Sequence, residues 1–276
     1  MKQIIQRLNP KLGIKLMDLP APKNKKGNVL IKTTKTLVSK GTESTIVEFG
    51  NASFYEKVKQ RPEKIKQLIK SLKSNGLIKT FDNVKNSIDQ YIALGYCNCG
   101  IVVESDVVGI NVGDRVVSNG PHAEVVRVPA NLVVKIPDTV SDDYAVFTVI
   151  GSIGLQGIRL FNPTYGENVI VFGLGLVGLI TIQLLKANGT NVIGIDIDEK
   201  KCKIADDLGI KTLNPKIDDI ESKIINQTKG VGVDGVIITA ASKSDEIIAK
   251  SARLCRKRGR IVLIGVIGLN INREDF

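Results

Sequence analysis

Short runs of alternating hydrophobic and polar residues characterise the first half of the chain, up to about residue 138. The runs are rich in β-branched residues and are separated by glycine, proline and asparagine, a pattern typical of strands joined by tight turns. The predicted strands cover residues 28–33, 99–104, 114–117, 124–128 and 132–136. This pattern predicts a β-rich domain over residues 1–140.

A lysine-rich stretch interrupts this pattern between about residues 53 and 91. Ile65, Leu68, Ile69 and Leu72 recur at the spacing of one face of an α-helix, and lysines occupy much of the remaining surface. We therefore predict a basic helical insertion in the first domain.

Longer apolar runs alternate with amphipathic segments after residue 140. Valine and isoleucine lie on both faces of each predicted strand, and most of the strands precede a predicted helix, which is typical of a parallel sheet covered on both sides. Strands are predicted at residues 168–172, 191–195, 235–239 and 260–264, and helices at 176–187, 199–208, 218–227 and 243–254. We expect a doubly wound α/β domain over residues 141–276.

The composition is that of an ordinary globular chain of about two domains, with 276 residues, 43% hydrophobic and 24% charged. The net charge of +11 raises the question of an anionic partner. Tryptophan is absent and aromatic residues make up only 4% of the chain, so we expect no specific nucleic-acid partner that stacks bases. Alternatives for the basic insertion are a solvated face, a lid that attracts phosphates, and an element that binds anionic membrane surfaces.

The four cysteines form no recognisable disulfide framework, and the first sixteen residues carry charges throughout instead of a signal-peptide core. No run of about eighteen apolar residues is long enough to span a bilayer. We expect a cytoplasmic protein with reduced thiols and no membrane span.

A glycine-rich turn follows the predicted strand 168–172. Gly173, Gly175 and Gly178 have the G-x-G-x-x-G spacing, in which they permit a tight turn, close approach of a pyrophosphate and close packing of the helix. Asp196 ends the next strand, where its carboxylate can accept ribose hydroxyls. The predicted cofactor-binding residues are Gly173, Leu174, Gly175, Leu176, Val177, Gly178, Asp196, Ala240, Gly265 and Val266.

The charge near this turn favours NAD over NADP. Asp196 and Asp198 would repel a 2′-phosphate, although Lys200 and Lys201 lie close in sequence and weaken that repulsion. We therefore predict NAD as the cofactor.

Three further motifs complete a family pattern: NVGDRVV at 111–117, HAEVVRVPANLVVKIPD at 122–138 and GRIVLIG at 259–265. Together with the turn VFGLGLVGL they resemble the medium-chain dehydrogenase/reductase superfamily of the zinc alcohol dehydrogenase type, over nearly the whole chain. The resemblance implies a GroES-like first domain, which would carry the substrate, and a Rossmann second domain, which would bind the dinucleotide.

The chain departs from this family at the zinc ligands. The resemblance places Lys40 of KGTE where the first ligand cysteine would lie, Tyr96 and Cys97 in place of a His-Glu pair, and the third ligand near Thr148. We predict a zinc-free protein. A zinc site built from Cys97, Cys99 and His122 is the alternative, disfavoured because zinc ligands need tetrahedral spacing.

The residues at the vacated positions offer a metal-free chemistry. A Lys40 ammonium can stabilise an oxyanion, and a Tyr96 phenol beside it can exchange a proton with substrate. The resemblance makes Thr42 the relay hydroxyl and Glu43 the acid beside it, while His122 is either a general base or a structural residue at the start of a strand. The alternative is that Lys40 is a loop lysine and Tyr96 a rim aromatic.

A narrower resemblance rests on KGTE, EFG at 48–50, the basic insertion and LGYCNCGIVVE at 94–104. These segments are similar to the N-terminal half of zinc-lacking bi-domain oxidoreductases of bacterial polysaccharide biosynthesis. The similarity implies a sugar or sugar-nucleotide substrate, and either a homodimer or association with a second oxidoreductase domain. GLNINREDF at 268–276 resembles the loop before a sixth Rossmann strand, so we expect a C-terminal truncation that leaves this domain incomplete. A catalytically inactive dinucleotide-binding scaffold is the competing hypothesis.

Overall fold

The computed structural model describes residues 1–7, 13–51, 91–242 and 244–275. The predicted basic insertion lies outside these residues, except for residue 91. The chain separates into two compact units, Met1–Val149 and Ile150–Phe276. The predicted boundary between residues 140 and 141 lies shortly before this division.

Antiparallel strands dominate the described part of the first unit. A three-stranded sheet has the order β2-β1-β4, and a five-stranded sheet has the order β7-β3-β5-β6-β8. The strands are β1 (Lys2–Arg7), β2 (Ile14–Asp18), β3 (Asn28–Thr36), β4 (Tyr91–Ala93), β5 (Asn98–Ser105), β6 (Arg115–Ser118), β7 (Val125–Pro129) and β8 (Val133–Lys135). Two helices, α1 (Lys40–Asn51) and α2 (Asp142–Ala145), and a 3₁₀ turn at Ala130–Leu132 complete this part.

The core of the first unit follows from the alternation of its strands. Val29 and Ile31 of β3 are fully buried on one face, as two-residue periodicity requires, and pack with Val102, Val116 and Val126. The alternation thus produces a valine-rich core on one face of the sheet.

A five-stranded parallel sheet forms the centre of the second unit, in the order β11-β10-β9-β12-β13. Its strands are β9 (Asn168–Phe172), β10 (Asn191–Ile195), β11 (Lys211–Leu213), β12 (Val233–Ile238) and β13 (Cys255–Leu263). Its helices are α3 (Thr148–Phe161), which spans the division between the units, α4 (Leu176–Ala187), α5 (Glu199–Asp207), α6 (Ile220–Gln227) and α7 (Glu246–Leu254), and Arg273–Asp275 is a 3₁₀ turn.

Helices cover both faces of the parallel sheet. Val169 and Val171 of β9 point into one apolar cluster, and Ile170 and Phe172 point into the other. The first cluster includes residues of α3, α4 and α5, and the second includes residues of α6 and α7. Because both of its faces are buried, the central strand β9 is apolar at every position from Val169 to Phe172 instead of alternating.

Helix α3 lies unusually close to its neighbours in the second unit. A Cβ atom added at Gly154 would lie 2.7 Å from Oγ1 of Thr181, and one added at Gly157 would lie 2.3 Å from Cδ1 of Ile264. Glycine at these two positions therefore permits the approach.

Candidate functional site

The glycine-rich turn connects β9 to α4 at the carboxyl end of the sheet. Gly173 has φ +95°, and a Cβ atom there would lie 2.6 Å from the Ala240 nitrogen. A Cβ atom at Gly178 would lie 1.9 Å from the Gly173 carbonyl oxygen. Gly175 is the N-cap of α4 and offers no side-chain acceptor, so first-turn N–H groups of α4 face a position suited to an anion.

Asp196 holds this turn against the end of β10. The carboxylate is 8% exposed; Oδ2 accepts the Leu174 N–H at 2.7 Å and Oδ1 accepts the Asp198 N–H at 2.9 Å. The Lys201 ammonium lies 3.6 Å from Oδ2. A carboxylate has about four acceptor positions, so the two backbone bonds leave capacity for ribose hydroxyls.

Four other predicted cofactor residues differ in packing and exposure: Ala240, Gly265, Val266 and Leu174. The Ala240 N–H donates to the Phe172 carbonyl at 3.0 Å, and a Cβ atom on Gly265 would lie 1.9 Å from the Ala240 oxygen. Val266 is largely exposed. The Leu174 side chain is fully buried in the core and its N–H is already donated to Asp196, so its predicted cofactor contact stays a prediction.

A second cluster forms around the start of α1 in the first unit. The Tyr96 hydroxyl donates to Oγ1 of Thr42 at 3.2 Å. Lys40 is the exposed first residue of α1, and within the described ranges no hydrogen bond or ion pair joins it to Tyr96. The structure therefore brings two of the predicted catalytic residues together and leaves Lys40 unattached to them.

Glu43 and His122 form a buried pair in this cluster. Oε2 of Glu43 lies 3.0 Å from Nε2 of His122, and the two side chains are 9% and 5% exposed, respectively. The second carboxylate oxygen of Glu43 accepts the Ser39 N–H at 2.8 Å. Nδ1 of His122 is buried and has no hydrogen-bond partner among the residues that the structure describes. The sequence indicated Glu43 only as the acid beside Thr42, because its partner lies 79 residues away.

The backbone holds His122 in place from two sides. Its N–H donates to the Leu94 carbonyl, and its carbonyl accepts the Ile4 N–H. Gly95 has φ +89°, and a Cβ atom there would lie 2.6 Å from the imidazole ring. His122 precedes β7, which begins at Val125, so the prediction that it starts a strand is wrong. Next to it, Ala123 forms an isolated antiparallel bridge with Gln3.

The cysteines near this cluster are buried. Burial, with the Glu43 charge as a smaller cause, raises the pKa of the Cys97 thiol to about 12, and burial likewise raises the pKa of Cys99 to about 12. Both thiols are therefore protonated near neutral pH in the metal-free chain.

The donor set of the described residues does not fit the zinc centre that the fold family implies. Lys40 has no free lone pair as an ammonium, the Tyr96 hydroxyl is bonded to Thr42, and in the described stretches no three His, Cys, Asp or Glu side chains converge as metal ligands.

Within the described part of the chain, no helix combines the length and apolarity needed to cross a bilayer.

Similar proteins were found for both halves of the chain. Residues 177–274 match the family described as zinc-binding dehydrogenase. The chain is 26% identical over 271 residues to an NAD-dependent alcohol dehydrogenase of Sulfolobus acidocaldarius, covering 92% of this chain and 75% of that protein. It is 36% identical over 154 residues to D-guloside 3-dehydrogenase of Escherichia coli, covering 53% and 44%. In several other cases the match spans about half the length of the curated relative.

A solved structure has the same fold. The 2R,3R-butanediol dehydrogenase of Bacillus subtilis aligns with a TM-score of 0.75 at 18% identity, covering 99% of this chain and 80% of that one. The predicted fold class, a β-rich GroES-like domain followed by a Rossmann domain, is confirmed. The comparisons support the resemblance to the medium-chain, zinc-type alcohol dehydrogenase superfamily.

Proposed function

We propose that the chain is an NAD(H)-dependent, zinc-independent oxidoreductase that acts on the alcohol or carbonyl group of a sugar or sugar nucleotide in polysaccharide biosynthesis. The observation that carries the proposal is the turn at Gly173–Gly178 bound to Asp196 through the Leu174 N–H at 2.7 Å. The match to D-guloside 3-dehydrogenase supports a sugar-type substrate. The residues proposed to bind NAD are those predicted from the sequence: Gly173, Leu174, Gly175, Leu176, Val177, Gly178, Asp196, Ala240, Gly265 and Val266.

The preference for NAD rests on charge. Asp196 directly follows β10, and an acidic residue at this point of a Rossmann domain binds the adenosine ribose; its carboxylate would repel a 2′-phosphate. The Lys201 ammonium at 3.6 Å neutralises part of this charge. We therefore expect NAD to bind more tightly than NADP, by a margin that Lys201→Ala increases.

The proposed chemistry uses hydroxyl groups and an ammonium. When bound, NAD supplies the hydride acceptor for alcohol oxidation. In the reduction direction, the exposed Lys40 ammonium stabilises the negative charge that develops on the substrate oxygen, and Tyr96 donates its hydroxyl proton to that oxygen, leaving a phenolate. In the oxidation direction the phenolate takes the alcohol proton. The bond between Tyr96 and Thr42 at 3.2 Å supports a relay through Thr42.

His122 has a supporting place in this proposal. Its side chain is 5% exposed and its Nε2 is bonded to Glu43, so we assign it the role of holding the start of α1, which carries Thr42, against the segment that carries Tyr96. A direct general-base role would need access to substrate, which burial opposes.

Two measurements test the cofactor and the chemistry separately. Isothermal titration calorimetry with NAD and NADP measures binding, and a panel of sugar nucleotides and sugar alcohols measures turnover. Tyr96→Phe and Lys40→Ala should each lower kcat/KM by at least tenfold, about 1.4 kcal/mol in the barrier. Tyr144→Phe, which removes an exposed hydroxyl in the same unit, is the matched control.

Specific results would contradict the proposal. If both Tyr96→Phe and Lys40→Ala stay within about threefold of the original chain, the pair is not catalytic. Stoichiometric zinc in chelator-washed protein would contradict zinc independence. NAD binding without turnover across the panel would favour the second candidate, a dinucleotide-binding scaffold. The lack of a fitting zinc donor set among the described residues is compatible with both candidates, so turnover is what distinguishes them.

A further inference from the structure

Thr239 lies directly after β12, beside the end of β9. Its N–H donates to the Phe172 carbonyl at 2.8 Å. Its hydroxyl oxygen lies 2.6 Å from the Gly173 carbonyl oxygen and 3.1 Å from the Phe172 carbonyl oxygen. A hydroxyl has one hydrogen, so the shorter distance identifies the Gly173 carbonyl as the main acceptor.

The carbonyl that Thr239 binds belongs to the same peptide unit that Asp196 binds. The Gly173 carbonyl accepts the Thr239 hydroxyl, and the Leu174 N–H donates to Asp196 Oδ2 at 2.7 Å. The plane of a peptide unit is rigid, so bonds at its two ends fix its orientation. This peptide unit is therefore held between the ends of β12 and β10.

The space around this peptide unit leaves little freedom. A Cβ atom on Gly178 would lie 1.9 Å from the Gly173 oxygen and 2.8 Å from Oγ1 of Thr239. The Thr239 hydroxyl, the Gly173 carbonyl and the first turn of α4 are therefore packed so closely that only glycine fits at position 178. Any rotation of the peptide unit would break both bonds or move α4.

We propose that Thr239 is a positioning residue for the dinucleotide, because its hydroxyl fixes the Gly173–Leu174 peptide and so aims the N–H groups at the start of α4 toward the pyrophosphate. A turn ordered before binding loses little conformational freedom when the anion arrives. This inference rests on the proposed NAD binding, and it adds a residue that the glycine motif does not contain.

Calorimetric titration of the full chain with NAD tests the proposal. Thr239→Val keeps the shape but removes the hydroxyl, and we expect it to raise the Kd for NAD by about tenfold, the effect of one lost hydrogen bond. Thr239→Ser keeps the hydroxyl and should stay within about threefold. Adenosine lacks the pyrophosphate, so its Kd should change less than about twofold in Thr239→Val.

The matched control is Thr190→Val in the same unit. The Thr190 hydroxyl donates to the Leu185 carbonyl at 2.8 Å, at the other end of α4. This variant should lower the melting temperature without changing the Kd for NAD. If Thr239→Val does not fold, Thr239→Ala, which also lacks the hydroxyl donor, takes its place with the same expected weakening.

The outcomes distinguish failure of the proposed NAD-dependent function from failure of the role proposed for Thr239. Failure of the original chain to bind NAD contradicts both the proposed function and this inference. Three other results would contradict only the role of Thr239. The first is a Kd for NAD within twofold of the original chain in Thr239→Val. The others are a rise in Kd in Thr239→Ser or in Thr190→Val as large as that in Thr239→Val.

Discussion

Removing the histidine from the Glu43–His122 pair should destabilise the first unit strongly. In His122→Ala the Glu43 carboxylate stays buried, with only the Ser39 N–H bond left. A buried carboxylate that loses a hydrogen-bond partner and stays out of water costs about 3 kcal/mol. For a unit of this size, 1 kcal/mol corresponds to about 2–4 °C, so the melting temperature should fall by about 10 °C.

Glu43→Gln distinguishes the buried charge from simple loss of packing. An amide oxygen still accepts a hydrogen bond and carries no charge, so this variant should cost only about 1 kcal/mol. The double variant Glu43→Gln/His122→Ala should cost less than the sum of the single variants, because the charge that His122→Ala strands is then absent. We expect a coupling free energy of about 2 kcal/mol.

The assay must report on the first unit alone. Hydrogen exchange followed by mass spectrometry on peptides from Met1–Val149 does so, whereas a global melt combines two compact units. Lys135→Ala is the control, because it breaks an ion pair with Asp114 whose lysine is half exposed and should cost at most about 1 kcal/mol. A His122→Ala cost below about 1 kcal/mol, or strict additivity in the double variant, would refute the reasoning.

Three further predictions concern the thiols, a carboxyl and the turn. Cys97 and Cys99, whose pKa values burial raises to about 12, should react with iodoacetamide at pH 8 only in denaturant; rapid labelling of the folded chain would contradict this. Hydrogen bonds from Thr34 and Arg115 lower the pKa of Asp142, so its stabilisation should be complete above about pH 4 and disappear as the pH falls through the lowered pKa. Denaturation of Asp142→Asn across pH should show a stability deficit at pH 7 that closes as the pH falls through the lowered pKa. Gly178→Ala should abolish NAD binding in calorimetry, because its Cβ atom would meet a backbone oxygen at 1.9 Å; unchanged affinity would disprove this geometry of the turn.

The elements predicted best are those set by local pattern. The bounds of β9, α4 and β10 agree with the predictions residue for residue, because each combines a continuous apolar run with a glycine turn. Helix α3 was missed, since glycines at 151, 154 and 157 interrupt its apolar pattern. The small sheet of β1, β2 and β4 was also missed, because Lys2–Arg7 pairs with strands distant in sequence.

In the candidate site, too, features set by local sequence could be predicted, whereas contacts between distant residues could not. The glycine turn and Asp196 could be recognised from spacing, because the motif is contiguous with its strand. The partner of Glu43 and the contact of Thr239 with Gly173 could not, since those residues lie 79 and 66 positions apart. The predicted association of Lys40 with Tyr96 has no bond to support it in the described ranges, because Lys40 faces outward at the start of α1.

Helix α3 has a consequence for how the second unit assembles. Three glycines at every third position each cost about 1 kcal/mol relative to alanine, so an isolated segment 148–161 has too little intrinsic helicity to stay ordered. Its glycine face is matched to Thr181 on α4 and to Ile264 beyond β13. The helix therefore gains its order only after distant parts of the chain have met, and mutations within it should change the unfolding rate more than the folding rate.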